Sequence, residues 1–267
     1  MNTPATARGS VSPVAEQKRS TTIQSISIAM RFLKILAESE RSMPLAELAR
    51  LSGTGRSTAH RYMQSLVKEG LVQQDAASSH YALGAAALSI GIAALRRVDA
   101  VEIAGTQMKL LTATHAMSGG VAIWTERGPM LVRWYRSAYF SINSVALGDI
   151  LPIDNTACGQ VFQGYLTSAE VTAARQKQPE HFRGTQPRPS EIERIRAEGW
   201  AEMTSHLLSG VTGQAAPVLD AQGELSCVVT TTTNLGELRR PEDRLALQDV
   251  ARLVNRMTGG ISYLSQA

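Results

Sequence analysis

Six residues within nine positions carry the richest chemistry of this chain: Arg56, Ser57, Thr58, His60, Arg61 and Gln64. If residues 56–69 form a helix, Ala59, Tyr62, Met63 and Leu66 make its buried stripe. Arg56, Ser57, His60, Arg61 and Gln64 then face outward. A guanidinium grips the two acceptors on a guanine edge, and a glutamine amide pairs with adenine. Serine and threonine hydroxyls bind phosphate or either base. Thr58 lies near the helix start, where free backbone N–H groups also favour a phosphate. These residue types at this spacing suit a helix lying in a DNA major groove. The plainer alternative is a three-helix packing module with a charged surface and no DNA role.

Such a helix needs neighbours to hold it. Residues 45–51 read as a short helix, with Leu45, Leu48 and Ala49 on one face and Pro44 suited to its first turn. Ser52-Gly53-Thr54-Gly55 breaks the pattern, because glycine tolerates the backbone angles of a tight turn. Gly70 is a natural stop for the second helix. Upstream, residues 23–37 place Ile28, Phe32, Ile35 and Leu36 at a helical period and supply a third core helix. Downstream, residues 71–74 and 80–83 read as short strands around Asp75-Ala-Ala-Ser-Ser79, a hairpin wing. Residues 22–83 are thus expected to form a winged helix-turn-helix DNA-binding domain.

Charge supports that placement. The chain carries a net charge of +4. Residues 1–98 hold 12 Lys+Arg against 6 Asp+Glu, a difference of +6, and residues 99–267 hold 15 against 17, a difference of −2. The positive field sits with the helix-turn-helix, where phosphates of double-stranded DNA need it. At 267 residues and 43% hydrophobic content, the chain suits two domains with proper cores. No apolar run reaches the ~20 residues that cross a bilayer, so no membrane role is expected. Residues 1–21 are rich in Ser, Thr, Pro and Ala, lack the apolar stretch of a signal peptide, and read as a disordered tail. Cys158 and Cys227 have no metal-like spacing. A reduced, cytoplasmic protein without metal or cofactor is expected.

Residues 84–98, GAAALSIGIAALRRV, read as an apolar linker helix with Leu88, Ile92 and Leu95 in phase. Its exposed stripe is expected to bury against a second subunit, since a twofold dimer reads two half-sites ~34 Å apart or a multiple of that. Packing within its own chain is the alternative. Residues 99–267 mix helices with strands. Helices are expected over 103–115, 156–165, 190–198 and 241–263. Strands are expected over 121–124, 130–135, 141–147, 214–219 and 224–233. That order predicts an antiparallel sheet with helices packed on it, an α+β fold.

Cys158 and His206 could in principle pair as nucleophile and base, and a helix start would lower the thiol pKa. No third orienting group is indicated, so the chain is not expected to be an enzyme. A peroxide-sensing Cys158 and a ligand-independent architectural DNA binder are further alternatives.

Residues 22–264 resemble the IclR family (isocitrate-lyase-regulator type) of bacterial transcription factors. The resemblance rests on Leu45-Ala-Glu-Leu-Ala49, Ser57-Thr-Ala-His-Arg61, Gly70-Leu-Val72 and Tyr81-Ala-Leu-Gly84. It continues through Leu151-Pro-Ile153, Thr156-Ala-Cys-Gly159 and Ala215-Ala-Pro-Val218 with Asp220 and Gly223. It implies a GAF-like effector-binding domain over residues 99–267, homodimers and often homotetramers, and control by a small organic acid. The family's pocket falls on Leu151, Ala157, Cys158, Val211, Gly213, Thr230 and Thr232, with Asn143 and Met203 at further lining positions.

The chemistry of those positions is independently sensible. Asp154 or Asn155 can cap the helix that follows, whose free N–H groups attract a carboxylate. Thr230 and Thr232 share a strand face and can donate to the same anion, although threonine is also an ordinary strand former. The chain departs from the family in three places. Asp154-Asn155 stands where His-Ala is common, Gln160 where a basic residue often follows the glycine, and Ser205-His206 near the place of an acidic pair. Asp154 would repel an acid, so it is expected to point outward from the cavity. Trp124, Trp134 and Tyr135 either wall a pocket for an aromatic acid or are core strand residues. Repression and activation are equally open.

Overall fold

The computed structural model describes residues 23–137, 145–204, 211–234 and 241–260. The chain divides into two compact units between Ile92 and Ala93.

In the first unit, α1 (Gln24–Ala37), α2 (Leu45–Ser52) and α3 (Arg56–Lys68) enclose a core. Phe32, Leu48, Met63 and Tyr81 are its largest fully buried side chains. Pro44 stands at the N-cap of α2 rather than inside its first turn. Gly53 ends α2 at φ 66°, a left-handed angle that glycine adopts without strain. Arg31 fastens α1 to this corner by donating from Nη1 to the Ser52 carbonyl at 2.7 Å. Strands β1 (Val72–Gln74) and β2 (Tyr81–Leu83) pair antiparallel, Val72 opposite Leu83, as the expected wing. Met43 bridges Tyr81 through reciprocal backbone bonds of 2.9 and 2.8 Å and anchors the wing to the start of α2.

The helix α4 (Ala85–Leu95) follows Gly84 and buries no residue. Leu88, Ile90, Ile92 and Leu95 are all exposed on it.

The second unit is built on five antiparallel strands in the order β4-β3-β7-β6-β5. They are β3 (Ser118–Thr125), β4 (Gly128–Tyr135), β5 (Ala201–Thr204), β6 (Val211–Leu219) and β7 (Leu225–Asn234). Successive side chains point to opposite faces, and the sequence alternates accordingly. Val121, Val229 and Ala216 pack beneath α5 (Ala100–Thr114) and α9 (Pro241–Thr258). Ala122, Val228 and Ala215 pack beneath α6 (Ala157–Tyr165) and α8 (Pro189–Glu198). Asn255 stitches α9 to β6: its Oδ1 accepts from Leu219 N at 2.7 Å and its Nδ2 donates to Pro217 O at 3.0 Å.

Several elements differ from expectation. Helix α7 (Ser168–Lys177) and strand β5 were not expected. Helix α7 has a capping box, in which Thr167 and Glu170 satisfy each other's backbone N–H groups. Strand β5 has four residues, too short for an alternation to show. Of the strand expected over 141–147, positions 141–144 lie outside the described residues. Positions 145–147 form no strand but lead into a turn at Gly148, closed by Asp149 Oδ2 accepting from Ala146 N at 2.8 Å. The expected tail over 1–21 also lies outside the described residues, and the last helix, expected to run to 263, ends earlier, at Thr258, where Gly259 takes a left-handed φ of 81° and bridges to Asp220.

Candidate nucleic-acid interface and candidate ligand cavity

Packing fixes which face of α3 is free. Ala59, Met63 and Leu66 are buried and Tyr62 is half-buried, its ring 5.9 Å from Phe32. Arg56, Ser57, His60, Arg61 and Gln64 are therefore exposed, and Thr58 is half-buried at the helix start. Gly55 at the N-cap offers no side-chain hydrogen bond, so first-turn N–H groups remain for an outside acceptor. The wing adds Gln73 and Gln74, both exposed, which the sequence reading passed over. Its turn carries Asp75, whose carboxylate accepts from the Ser78 hydroxyl and amide, each at 2.7 Å. Those bonds hold Asp75 below the usual carboxylate range. A charged carboxylate at the wing tip repels phosphate, so α3 rather than the wing tip is suited to the backbone.

In the second unit a small cavity lies between α6 and the sheet. Strand register explains what meets there. Met203 lies opposite Gly213, and Gly213 opposite Thr232, while Ala215 lies opposite Thr230. Val211 and Gly213 share a strand face, as do Thr230 and Thr232. Ala157, Cys158 and Leu151 approach from the other side, so eight of the nine positions expected to line a pocket do surround one space. The remaining one, Asn143, lies outside the described residues. Leu131, Trp134, Val145, Asn155 and Thr156 complete the lining.

The helix start at this cavity is built tightly. A Cβ on Gly159 would lie 2.2 Å from the Ile153 carbonyl, so only glycine lets α6 seat against the preceding loop. Thr156, not Asp154 or Asn155, is the N-cap. Its Oγ1 accepts from Gly159 N at 2.9 Å and donates to Pro152 O at 2.7 Å. The first-turn N–H groups of Ala157 and Cys158 have no intrahelical acceptor. Trp134 Nε1 is buried without a partner among the described residues. A buried unpaired donor costs about 1–3 kcal/mol, a cost that a ligand acceptor removes.

Other expectations require correction. Asp154 is turned away from the cavity but does not reach solvent. It is 2% exposed and paired with Arg175, whose Nη2 lies 2.8 Å and Nε 3.1 Å from Oδ1. Arg175 also donates to Gln163 Oε1 at 2.9 Å. Asn155 donates instead to Phe182 O at 2.9 Å. The Thr230 hydroxyl is already engaged, donating to Gln214 O at 2.9 Å, so toward a ligand it serves as an acceptor. Of the three aromatic candidates only Trp134 lines the cavity. Trp124 packs on Phe162 at 5.3 Å, and Tyr135 belongs to the opposite face of the sheet. The thiol of Cys158 is raised, not lowered, because it is fully buried and close to Cys227. Burial also pushes the Cys227 thiol up to about 12, with Asp99 adding to the effect. Neither is an activated nucleophile, and His206 lies outside the described residues.

A winged helix-turn-helix with an exposed basic reading helix, joined in one chain to an α+β unit with an internal cavity, defines a ligand-responsive DNA-binding regulator. Residues 25–76 match the IclR helix-turn-helix domain, and residues 92–256 match the C-terminal domain of the bacterial transcriptional regulator IclR. The chain belongs to the IclR family. It is 30% identical over 251 residues to the glycerol operon regulatory protein of Streptomyces coelicolor, covering 89% of this chain and 97% of that one. It is 25% identical over 167 residues to the transcriptional repressor IclR of Escherichia coli, covering 62% of this chain and 61% of that one. Among solved structures it resembles HmgR of Pseudomonas aeruginosa, at 28% identity and a TM-score of 0.78, over 89% of this chain and 99% of that one. The matched families and relatives are transcriptional regulators, not enzymes.

Proposed function

We propose that this protein grips a promoter palindrome in double-stranded DNA as a homodimer or homotetramer and releases or remodels it when a small organic acid fills the cavity beneath α6. The observation that carries the reading is the pairing of an exposed Arg56 to Gln64 face with a separate, mostly apolar space that meets the start of α6 and the unpartnered Trp134 Nε1. Residues 22–83 act as the DNA-binding domain, 84–98 as the linker and 99–267 as the effector-binding domain. Leu151, Ala157, Cys158, Met203, Val211, Gly213, Thr230 and Thr232 contribute the effector surface. The acid's carboxylate sits at the start of α6, where helix N–H groups and the helix dipole favour negative charge by about 0.3–1 kcal/mol, and up to ~2 when partly buried. Among the described residues no helix is long and apolar enough to cross a membrane, in keeping with work on chromosomal DNA in the cytoplasm.

Fluorescence anisotropy with labelled DNA from the regions flanking the gene tests the first half. Arg61→Ala should weaken specific binding by roughly 1–3 kcal/mol, the usual worth of a bidentate base contact. Equal affinities for wild type and variant at several salt concentrations would remove α3 from the interface. A ligand-independent DNA binder would show no change in that affinity with any added acid.

A further inference from the structure

The cavity beneath α6 is only about 50 Å³. An apolar cavity of about 150 Å³ takes up benzene, and one water claims about 30 Å³ of the liquid. An acid of more than a few heavy atoms outgrows such a space. A second, wider cleft of about 410 Å³ opens beside it, with Pro152, Pro179 and Phe182 among its walls and Arg127 and Asp149 at its polar margin. Two residues, Val145 and Leu151, line both spaces. Among the described residues these two alone are common to both, so they form the partition.

The main chain of Leu151 is pinned on both sides, and its side chain packs half-buried against the α6 core. Leu151 N donates to Pro129 O at 2.7 Å, and Leu151 O accepts from Gln178 Nε2 at 2.9 Å. Gln178 is itself buried and grips the same loop again, accepting from Ile153 N at 3.1 Å. The Leu151 side chain is half-buried, and leucine rotamer changes are fast on the timescale of binding. Among the described residues the inner lining has no Lys, Arg, Asp or Glu, whereas the outer cleft has both signs of charge. One molecule can satisfy both spaces if its carboxylate meets the α6 first-turn N–H groups and Trp134 Nε1 and an apolar stem leads outward to Pro179 and Phe182.

We propose that the two spaces are one bipartite effector site, divided by Leu151 and Val145, and that its ligand is an organic acid with an extended apolar stem. The carboxylate meets the first-turn N–H groups of α6 and the stem passes the Leu151 side chain to lie against Phe182 and Pro179. This rests on reading the inner cavity as the effector site. Acids of two or three carbons fill only the inner space and leave the outer walls to water.

The test uses the full chain and a straight-chain series from acetate to octanoate, with binding followed by calorimetry and by tryptophan fluorescence, since Trp134 lines the inner space. Affinity should climb by about fourfold for each methylene that reaches the apolar wall of the outer cleft. Phe182→Ala should weaken octanoate by about tenfold, the worth of losing an apolar wall, and leave acetate unaltered. Leu151→Ala, which thins the partition, should strengthen octanoate by a larger factor than it changes acetate. Affinity that is flat along the series, or variants that alter short and long acids by the same factor, overturns the bipartite site but leaves the inner effector site standing. If no acid in the series binds, the effector reading falls and the bipartite site falls with it.

Discussion

At the scale of single residues, the buried pair of Asp154 and Arg175 is the least expected feature of the ligand-binding unit. The two side chains are 2% and 14% exposed, and their contact joins the loop before α6 to α7. Removing one partner of a buried pair leaves the other charge uncompensated, at a cost of roughly 3–5 kcal/mol. Asp154→Ala should therefore lower stability by that order in urea unfolding, and Asp154→Ala combined with Arg175→Met should recover much of it. A double variant no more stable than Asp154→Ala alone would show that the loop, not the charge, bears the load. The thiols give a pH prediction. Burial raises both Cys158 and Cys227, the latter to about 12. Unfolded thiols ionise near the ordinary value of about 8.5. Between those values the unfolded chain has lost protons that the folded chain keeps, so stability falls as pH rises. Stability is unaffected by these groups below about pH 8 and declines by up to about 1.4 kcal/mol per pH unit for each thiol above it. Replacing Cys227 with alanine should flatten the decline measured between mildly and strongly alkaline buffers. An unchanged slope would mean that the thiol ionises in place.

At the scale of elements, α4 stands apart. It has eleven residues and buries none of them, while Leu88, Ile90, Ile92 and Leu95 lie 66%, 62%, 42% and 48% exposed. A helix apolar all round is ordinarily a buried one, and a second copy of the same helix supplies the simplest cover by twofold symmetry. Ile92→Asp should shift light-scattering mass toward the monomer and weaken operator binding, with the folding of each unit preserved by circular dichroism. A variant of unchanged mass would place the subunit contact elsewhere. Legibility varied by element for physical reasons. The helices α1 to α3 were readable because their apolar residues recur at the helical period over eight or more positions and glycine marks the turn. The two longest strands of the hairpin, β6 and β7, were readable as apolar runs either side of Asp220 and Gly223. Helix α7 was not, because Val171 and Ala174 are its only buried residues, too few for a stripe, although Thr167 and Glu170 carried a capping signal. The cavity positions follow from strand register, which a resemblance can transfer. The Asp154 partner could not be read, because Arg175 lies 21 positions away on the very helix that was missed.

At the scale of the whole chain, the question is how much a ligand in the second unit can change the grip of the first. A ligand shifts DNA affinity only by the difference in its own affinity for the DNA-bound and free states. Linkage makes the effect reciprocal: if an acid lowers operator affinity by some factor, the operator lowers acid affinity by the same factor. Coupling of about 1–3 kcal/mol is typical, a change of roughly 5- to 150-fold. The strongest binder of the acid series can therefore be titrated twice, once into the free protein and once into the protein saturated with operator. The two dissociation constants should differ by the factor that the acid produces in operator affinity measured separately. Agreement of the two ratios would establish a thermodynamic circuit between the reading helix and the cavity. An acid that binds equally well to both forms has no means of regulating occupancy, and the cavity would then serve stability rather than control. Destabilising the loop gives an internal check. Asp154→Ala disturbs the approach to α6 without touching α3, so it should reduce the coupling ratio while leaving acid-free operator affinity within a few-fold of wild type, provided the protein remains folded at the assay temperature.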